Sequence, residues 1–156
     1  MVYFKRKKMK EKILLTTVAI IVFIVLILKD AGSGAPRWLA ELIILAESGG
    51  NPKAVGPIGE RGLFQFREST WSWFTKKTYG EELDFDLAFD SRINRKVGME
   101  YLKWLKEQID THYTPALLAG SFHYGLTAIK RLGYELPASA YTHPNLIYRK
   151  LFRKES

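Results

Sequence analysis

Two hydrophobic patterns divide the chain. Residues 13–28, ILLTTVAIIVFIVLIL, run without a charge, whereas beyond residue 36 apolar side chains return at intervals of three and four among charged ones. The first pattern predicts a transmembrane helix. Its length gives about 24 Å of helix against a hydrocarbon layer of about 30 Å, so Lys12 and Lys29 must extend to the headgroups. Thr16 and Thr17 fit such a helix because their hydroxyls bond back to its carbonyls. Residues 1–12 form a basic tail, which stays cytoplasmic because positive charge beside a span resists export. A cleavable signal peptide ending near Ala31-Gly32-Ser33 is the competing reading, for which the apolar run is somewhat long. Either segment exports the C-terminal remainder of the chain. Residues 29–36, KDAGSGAP, read as a linker, and residues 37–156 as one folded domain.

The second pattern predicts helices throughout that domain, hence an all-α fold behind one N-terminal transmembrane helix. Trp38, Leu39, Leu42, Ile43 and Leu45 share helical spacing, and Gly49-Gly50 with Asn51-Pro52 stop them. Ser69 and Thr70 are candidate caps for a helix carrying Trp71, Trp73, Phe74 and Tyr79. Most of these aromatics belong to a core, with one or two available to a groove. From Ser91 onward Ile93, Val97, Tyr101, Leu105 and Ile109 recur every four residues, joined by Leu102 and Trp104, which predicts an amphipathic helix to about Ile109. Gly98 inside it costs of order 1 kcal/mol against Ala, which implies another helix packed close there. Thr114-Pro115 opens a further helix, ALLAGSFHYGLTAIKRL, with small residues Ala119, Gly120 and Ser121 and a stop at Gly133. A last helix is expected from about Asn145 to Phe152, with Arg149, Lys150, Arg153 and Lys154 at its C-terminal end, where positive charge is favourable.

Composition narrows the partners. The net charge is +8, but residues 1–12 hold six Lys or Arg against one Glu and so carry +5, leaving +3 spread along the rest with no basic stripe. That argues against a nucleic-acid partner and keeps an anionic surface open. There is no cysteine, so disulfides, thiolate metal sites and an acylated lipoprotein N-terminus are excluded. Asp84-x-Asp86 lacks the further ligand and the glycine of a calcium loop. His123 has no second His or acid at ligand spacing, so no metal or other cofactor is expected.

Candidate chemistry centres on Glu47, at the end of an apolar helix and the start of the Gly-rich stretch ESGGNPKAVGPIGERGLFQF, 47–66. Position alone leaves it open between a solvated helix-end residue and a general acid. A carboxylate on a last turn meets the negative end of the helix dipole, and apolar neighbours also favour its protonated form.

The spacing Glu47-Ser48, Asn51-Pro52, Ala54, Gly59 and Gly62-Leu63-Phe64-Gln65 resembles, without a gap, that of the soluble-lytic-transglycosylase family of goose-type-lysozyme-like folds. Asp90, Asn94, Gly98 and Tyr101-Leu102 resemble its second block, and SFHYG at 121–125 with Ala128-Ile129 its third. The likeness covers about residues 38–133 and departs at Phe122, where the family carries Tyr, and at His123, where it carries Asn. Tyr124 or Tyr148 is the candidate to replace the lost hydroxyl, and Tyr148 is preferred to Tyr141 as the family's Tyr in the last helix.

The resemblance implies a lysozyme-like helical domain that cleaves peptidoglycan strands between N-acetylmuramic acid and N-acetylglucosamine without a cofactor. Glu47 would protonate the glycosidic oxygen and then take the proton of the muramic C6 hydroxyl, closing a 1,6-anhydro ring. Ser48, Gln65, Phe66, Tyr101, Phe122, His123, Tyr124 and Tyr148 are the expected substrate-binding residues, with Gln65 equally read as a loop-stabilising amide. Two other readings remain: a hydrolytic muramidase in which Asp84, Asp86 or Asp90 activates water, and a non-catalytic glycan-binding or assembly module. The expected location is a membrane, with the domain periplasmic, extracellular or on a virion, serving a larger envelope or virion assembly.

Overall fold

The computed structural model describes residues 34–153. The basic tail, the expected span at 13–28, most of the linker and Lys154 lie outside that range. No helix among the described residues is long and apolar enough to cross a membrane.

Six α-helices carry the domain: α1 Arg37–Ser48, α2 Glu68–Tyr79, α3 Ser91–Ile109, α4 Pro115–Tyr124, α5 Leu126–Arg131 and α6 Leu146–Leu151. Short 3-10 turns at Phe85–Phe89, Asp110–His112 and Ala138–Thr142 join them. The described residues contain no strand; isolated bridges from Arg61 to Val55 and Phe66 pin the loop between α1 and α2. The central helix, α3, packs against α1 and α4, while α6 closes on α1 and α4.

Local chemistry explains most boundaries. Asp90 caps α3, its side chain accepting from the N–H groups of Arg92 and Ile93, and Thr114 caps α4 through the N–H of Leu117 ahead of Pro115. Gly49 and Gly80 end α1 and α2 in the left-handed conformation that glycine adopts without strain. The expected caps of α2 do not form. Ser69 and Thr70 lie inside its first turn, and Arg67 occupies the cap position without a side-chain bond. A second difference is the break at Gly125 (φ 86°, ψ 138°), which divides the single helix expected over 115–132 into α4 and α5.

The core is built from Leu39 and Ile43 of α1, Trp71 and Phe74 of α2, Val97, Leu102, Leu105 and Ile109 of α3, Leu118 of α4, and Tyr148 and Phe152 at the C-terminus. Each such aliphatic or aromatic side chain stabilises the fold by about 1.5–3 kcal/mol through burial. The buried face of α1 is rotated from the expected one: Ala40 and Ile44 point inward, whereas Trp38 and Leu45 are 48% and 52% exposed. Trp73 is likewise exposed, set edge-on to Trp104 at 5.1 Å.

A buried amide fastens the 49–66 loop to α3. Asn94 Oδ1 accepts from the Phe64 N–H at 3.0 Å, and its Nδ2 donates to the carbonyl of Ala88 at 2.8 Å. Close approach needs two glycines. A Cβ on Gly62 would fall 2.0 Å from the Ala88 oxygen, and one on Gly98 2.2 Å from the Phe64 ring. The neighbour implied by Gly98 is therefore a loop aromatic and not another helix. Asn94→Ala would leave a buried N–H and a buried carbonyl without partners, a loss of about 2–4 kcal/mol. Urea unfolding should register it, and a loss below about 1 kcal/mol would mean the loop is held some other way.

Candidate active site

Glu47 stands on the last turn of α1, with its side chain 18% exposed. Its Oε1 has two polar partners. The Tyr148 hydroxyl, from α6, lies 2.5 Å away, and the His123 Nδ1, from α4, lies 3.3 Å away. The surroundings are thus less apolar than the sequence implied, since a phenol and an imidazole face the carboxylate. The Tyr148 phenol stays a donor: burial first, then the Glu47 charge beside it, hold its pKa well above the ordinary 10. Its ring lies flat on Phe152 at 5.3 Å, which fixes where the hydroxyl points.

A cleft of about 390 Å³ opens beside Glu47. Phe66, Tyr101 and Phe122 line it, with their rings 5.6–6.2 Å apart. His123, Tyr124 and Gln65 also face it. Gln65 serves the loop as well, because its Nε2 donates to the carbonyls of Ala54 and Gly62. The Tyr124 hydroxyl is buried and makes no hydrogen bond to Glu47, with Ser139 the side chain that bears on it. Ser48 does not line the cleft; its hydroxyl bonds back to Ile44 and receives the Gly50 N–H, so it finishes the helix. A larger hollow of about 800 Å³, bordered by Trp38, Tyr134 and Tyr141, shares no lining residue with the Glu47 cleft.

None of Asp84, Asp86 or Asp90 lines the cleft. Asp84 receives the Asp86 N–H, Asp86 pairs with Arg61 at 2.6 Å, and Asp90 caps α3. The other carboxylate in the lining is Glu60, which sequence reasoning missed. It accepts the Ile58 N–H and lies 3.7 Å from Arg67.

His143 was missed too. Its Nε2 lies 3.0 Å from the Nε2 of His123, so His123 is not the isolated histidine that the sequence suggested. Twenty residues of helix and loop separate the two, beyond the reach of any spacing rule. Asn145, also unremarked as a site residue, caps α6 and donates from Nδ2 to the Ala46 carbonyl at 3.0 Å, which docks α6 beside Glu47. Among the described residues no group of three or more His, Cys, Asp or Glu is arranged to hold a metal.

An all-helical, lysozyme-like domain with a helix-end carboxylate at the edge of an aromatic cleft is the class that fold and site define. A family model described as the transglycosylase SLT domain matches residues 28–141, and the chain belongs to that family. Among solved structures, it is similar to the X-ray structure of an inactive mutant of the lytic transglycosylase Slt from Pseudomonas aeruginosa, with a TM-score of 0.59 and 16% identity over 81% of this chain. The chain spans about a fifth of the length of that protein, 20% of it being covered. No curated protein matches the chain.

Burial first, then the proximity of His123, lowers the pKa of His143 from its ordinary 6.5, against smaller opposing pulls from the Asn145 backbone and then from Glu47. The unfolded chain therefore takes up a proton near that pH which the folded chain refuses until lower pH. This contribution to stability is full above the ordinary value and is lost as pH falls through the window below it. The melting temperature should drop between about pH 7 and pH 5.5, and less steeply in His143→Gln. Equal slopes in the two proteins would remove His143 from the account.

Proposed function

We propose that the domain is a peptidoglycan lytic transglycosylase that cleaves the β-1,4 bond between N-acetylmuramic acid and N-acetylglucosamine. Glu47 gives its proton to the glycosidic oxygen as the C1–O4 bond breaks, and the substrate's acetamido group stabilises the cationic centre. The carboxylate then takes the proton of the muramic C6 hydroxyl while O6 bonds to C1. The acid is restored and the product is a 1,6-anhydro sugar. No second protein carboxylate is needed, and the observation that carries this reading is the asymmetric hold on Glu47. Both contacts fall on Oε1, which leaves Oε2 to give and take the proton. Phe66, Tyr101 and Phe122 supply apolar faces for the sugar rings.

A hydrolytic muramidase is the second reading, favoured by Glu60 in the cleft lining. Its engagement with Ile58 and Arg67 weighs against Glu60 as a base for water. We further propose that residues 13–28 anchor the domain on the outer side of a membrane. There it would open the wall locally for a larger envelope or virion assembly.

Mass spectrometry of peptidoglycan digested by the full-length chain should find anhydro-muramic termini, and Glu47→Gln should abolish them without lowering the melting temperature. Reducing ends alone would establish hydrolysis instead; strand binding without turnover would leave only a glycan-binding module. Tyr148→Phe keeps the ring on Phe152 but removes a charge-assisted donor of about 1.5–3 kcal/mol, so turnover should fall about 10- to 100-fold. An unchanged rate would show that the hydroxyl does not support the carboxylate during reaction.

A further inference from the structure

The two histidines and Glu47 form a chain whose hydrogens can be assigned from one end. The backbone N–H of Asn145 can only donate, and it reaches Nδ1 of His143 at 3.1 Å. That nitrogen therefore carries a lone pair, and the neutral ring has its hydrogen on Nε2. Nε2 of His143 faces Nε2 of His123 at 3.0 Å, and a single hydrogen can lie between them. It belongs to His143, so His123 accepts there and carries its own hydrogen on Nδ1. That Nδ1–H is the group aimed at Oε1 of Glu47. The starting point is rigid, because Asn145 is tied to α6 through the Ile147 N–H and to α1 through the Ala46 carbonyl.

We infer that His143 is a positioning residue that locks His123 in the Nδ1–H tautomer, so that Glu47 is held at one oxygen and neither imidazole keeps a lone pair for water. The inference rests on the reaction proposed above and adds a cause for its outcome. With both lone pairs engaged, Glu47 is the base left to act, and the nearby nucleophile it serves is the C6 hydroxyl of the same sugar. The same assignment argues against a metal between the rings. A neutral histidine that ligates through Nε2 carries its hydrogen on Nδ1, which here would collide with the Asn145 N–H.

Removing His143 frees the Nε2 of His123 and lets the ring change tautomer, exposing an Nδ1 lone pair beside the cleft. Water can then lose a proton to Nδ1 as its oxygen bonds to C1, while Glu47 protonates the departing O4. The product of that step is a reducing end.

The test begins with the wild-type full-length chain labelled with 15N at histidine, whose ring-nitrogen spectra report tautomers directly. At about pH 7.5, a unit above the ordinary histidine value, His143 should show Nε2–H with bare Nδ1 and His123 the reverse. Mixed or opposite tautomers would overturn the lock whether or not the protein cleaves glycan, and this arm needs no variant that must fold. In digests, His143→Ala should turn over about 10-fold more slowly, the loss expected for one hydrogen bond that holds the ring, and its share of reducing ends should rise severalfold. His143→Gln restores an N–H donor near the ring Nε2 position and should restore the anhydro product. Identical product ratios in the two variants would reduce His143 to a packing residue. Stoichiometric uptake of zinc by the wild type but not by His143→Gln would overturn the assignment in favour of a metal site. A wild type without turnover would sink the proposed reaction alone, since the tautomers would still judge the lock.

Discussion

The buried amide of Asn94 is the constraint on which the cleft depends. The loop at 49–66 has no strand or helix to satisfy its backbone, and buried N–H and carbonyl groups left unpaired are costly. The loop pairs much of its backbone with itself, as between Arg61 and Phe66. One side chain on α3 takes the buried remainder, binding the loop at Phe64 and the 3-10 turn at Ala88 together. Gly62 and Gly98 permit the contact by leaving no Cβ in the way. Once Phe64 is seated on Gly98, Phe66 sits edge-on to Trp71 and Tyr101, and the aromatic lining forms beside the end of α1. Loop geometry and site geometry are thus one problem, solved by a residue that does not line the cleft.

The helices that periodicity reveals best are those that bury one continuous stripe. In α3, Val97, Leu102, Leu105 and Ile109 are buried as the pattern requires, and both ends fall where expected because Asp90 caps one and the apolar repeat runs out at the other. The face of α1 was misread because Trp38 and Leu45 are apolar yet outward-facing, and hydrophobicity alone does not distinguish a surface aromatic from a core one. The break at Gly125 was hidden for a related reason. A glycine inside an apolar run costs a helix only about 1 kcal/mol, so tertiary packing decides whether the chain turns there.

Legibility of the site tracked sequence distance. Glu47, Gln65 and Phe66 belong to one local stretch, and all three line the cleft. Ser48 belongs to the same stretch but serves the helix end, since local spacing says nothing of where a hydroxyl turns. Glu60 was passed over because a loop carboxylate between glycines reads as solvent-exposed until its Ile58 and Arg67 contacts are seen. His143 and Asn145 were illegible in a stronger sense. They matter only because α6 folds back onto α1 across about a hundred residues, through the Asn145 and Tyr148 bonds.

The same long-range closure bears on the two departures at 122 and 123. A phenylalanine at 122 carries no hydroxyl into the cleft lining but presents a ring face that contacts Phe64, Phe66 and Tyr101. The donor to the carboxylate comes instead from Tyr148, which lies 1% exposed under α1 and so approaches Glu47 from within the protein. His123 approaches Oε1 from α4. A carboxylate gripped at one oxygen by groups rooted in two helices is fixed in direction yet still able to exchange a proton at the other oxygen. Aromatic packing at 122 and polar support from 123 and 148 are therefore complementary, because the lining can be apolar once the carboxylate is oriented from behind.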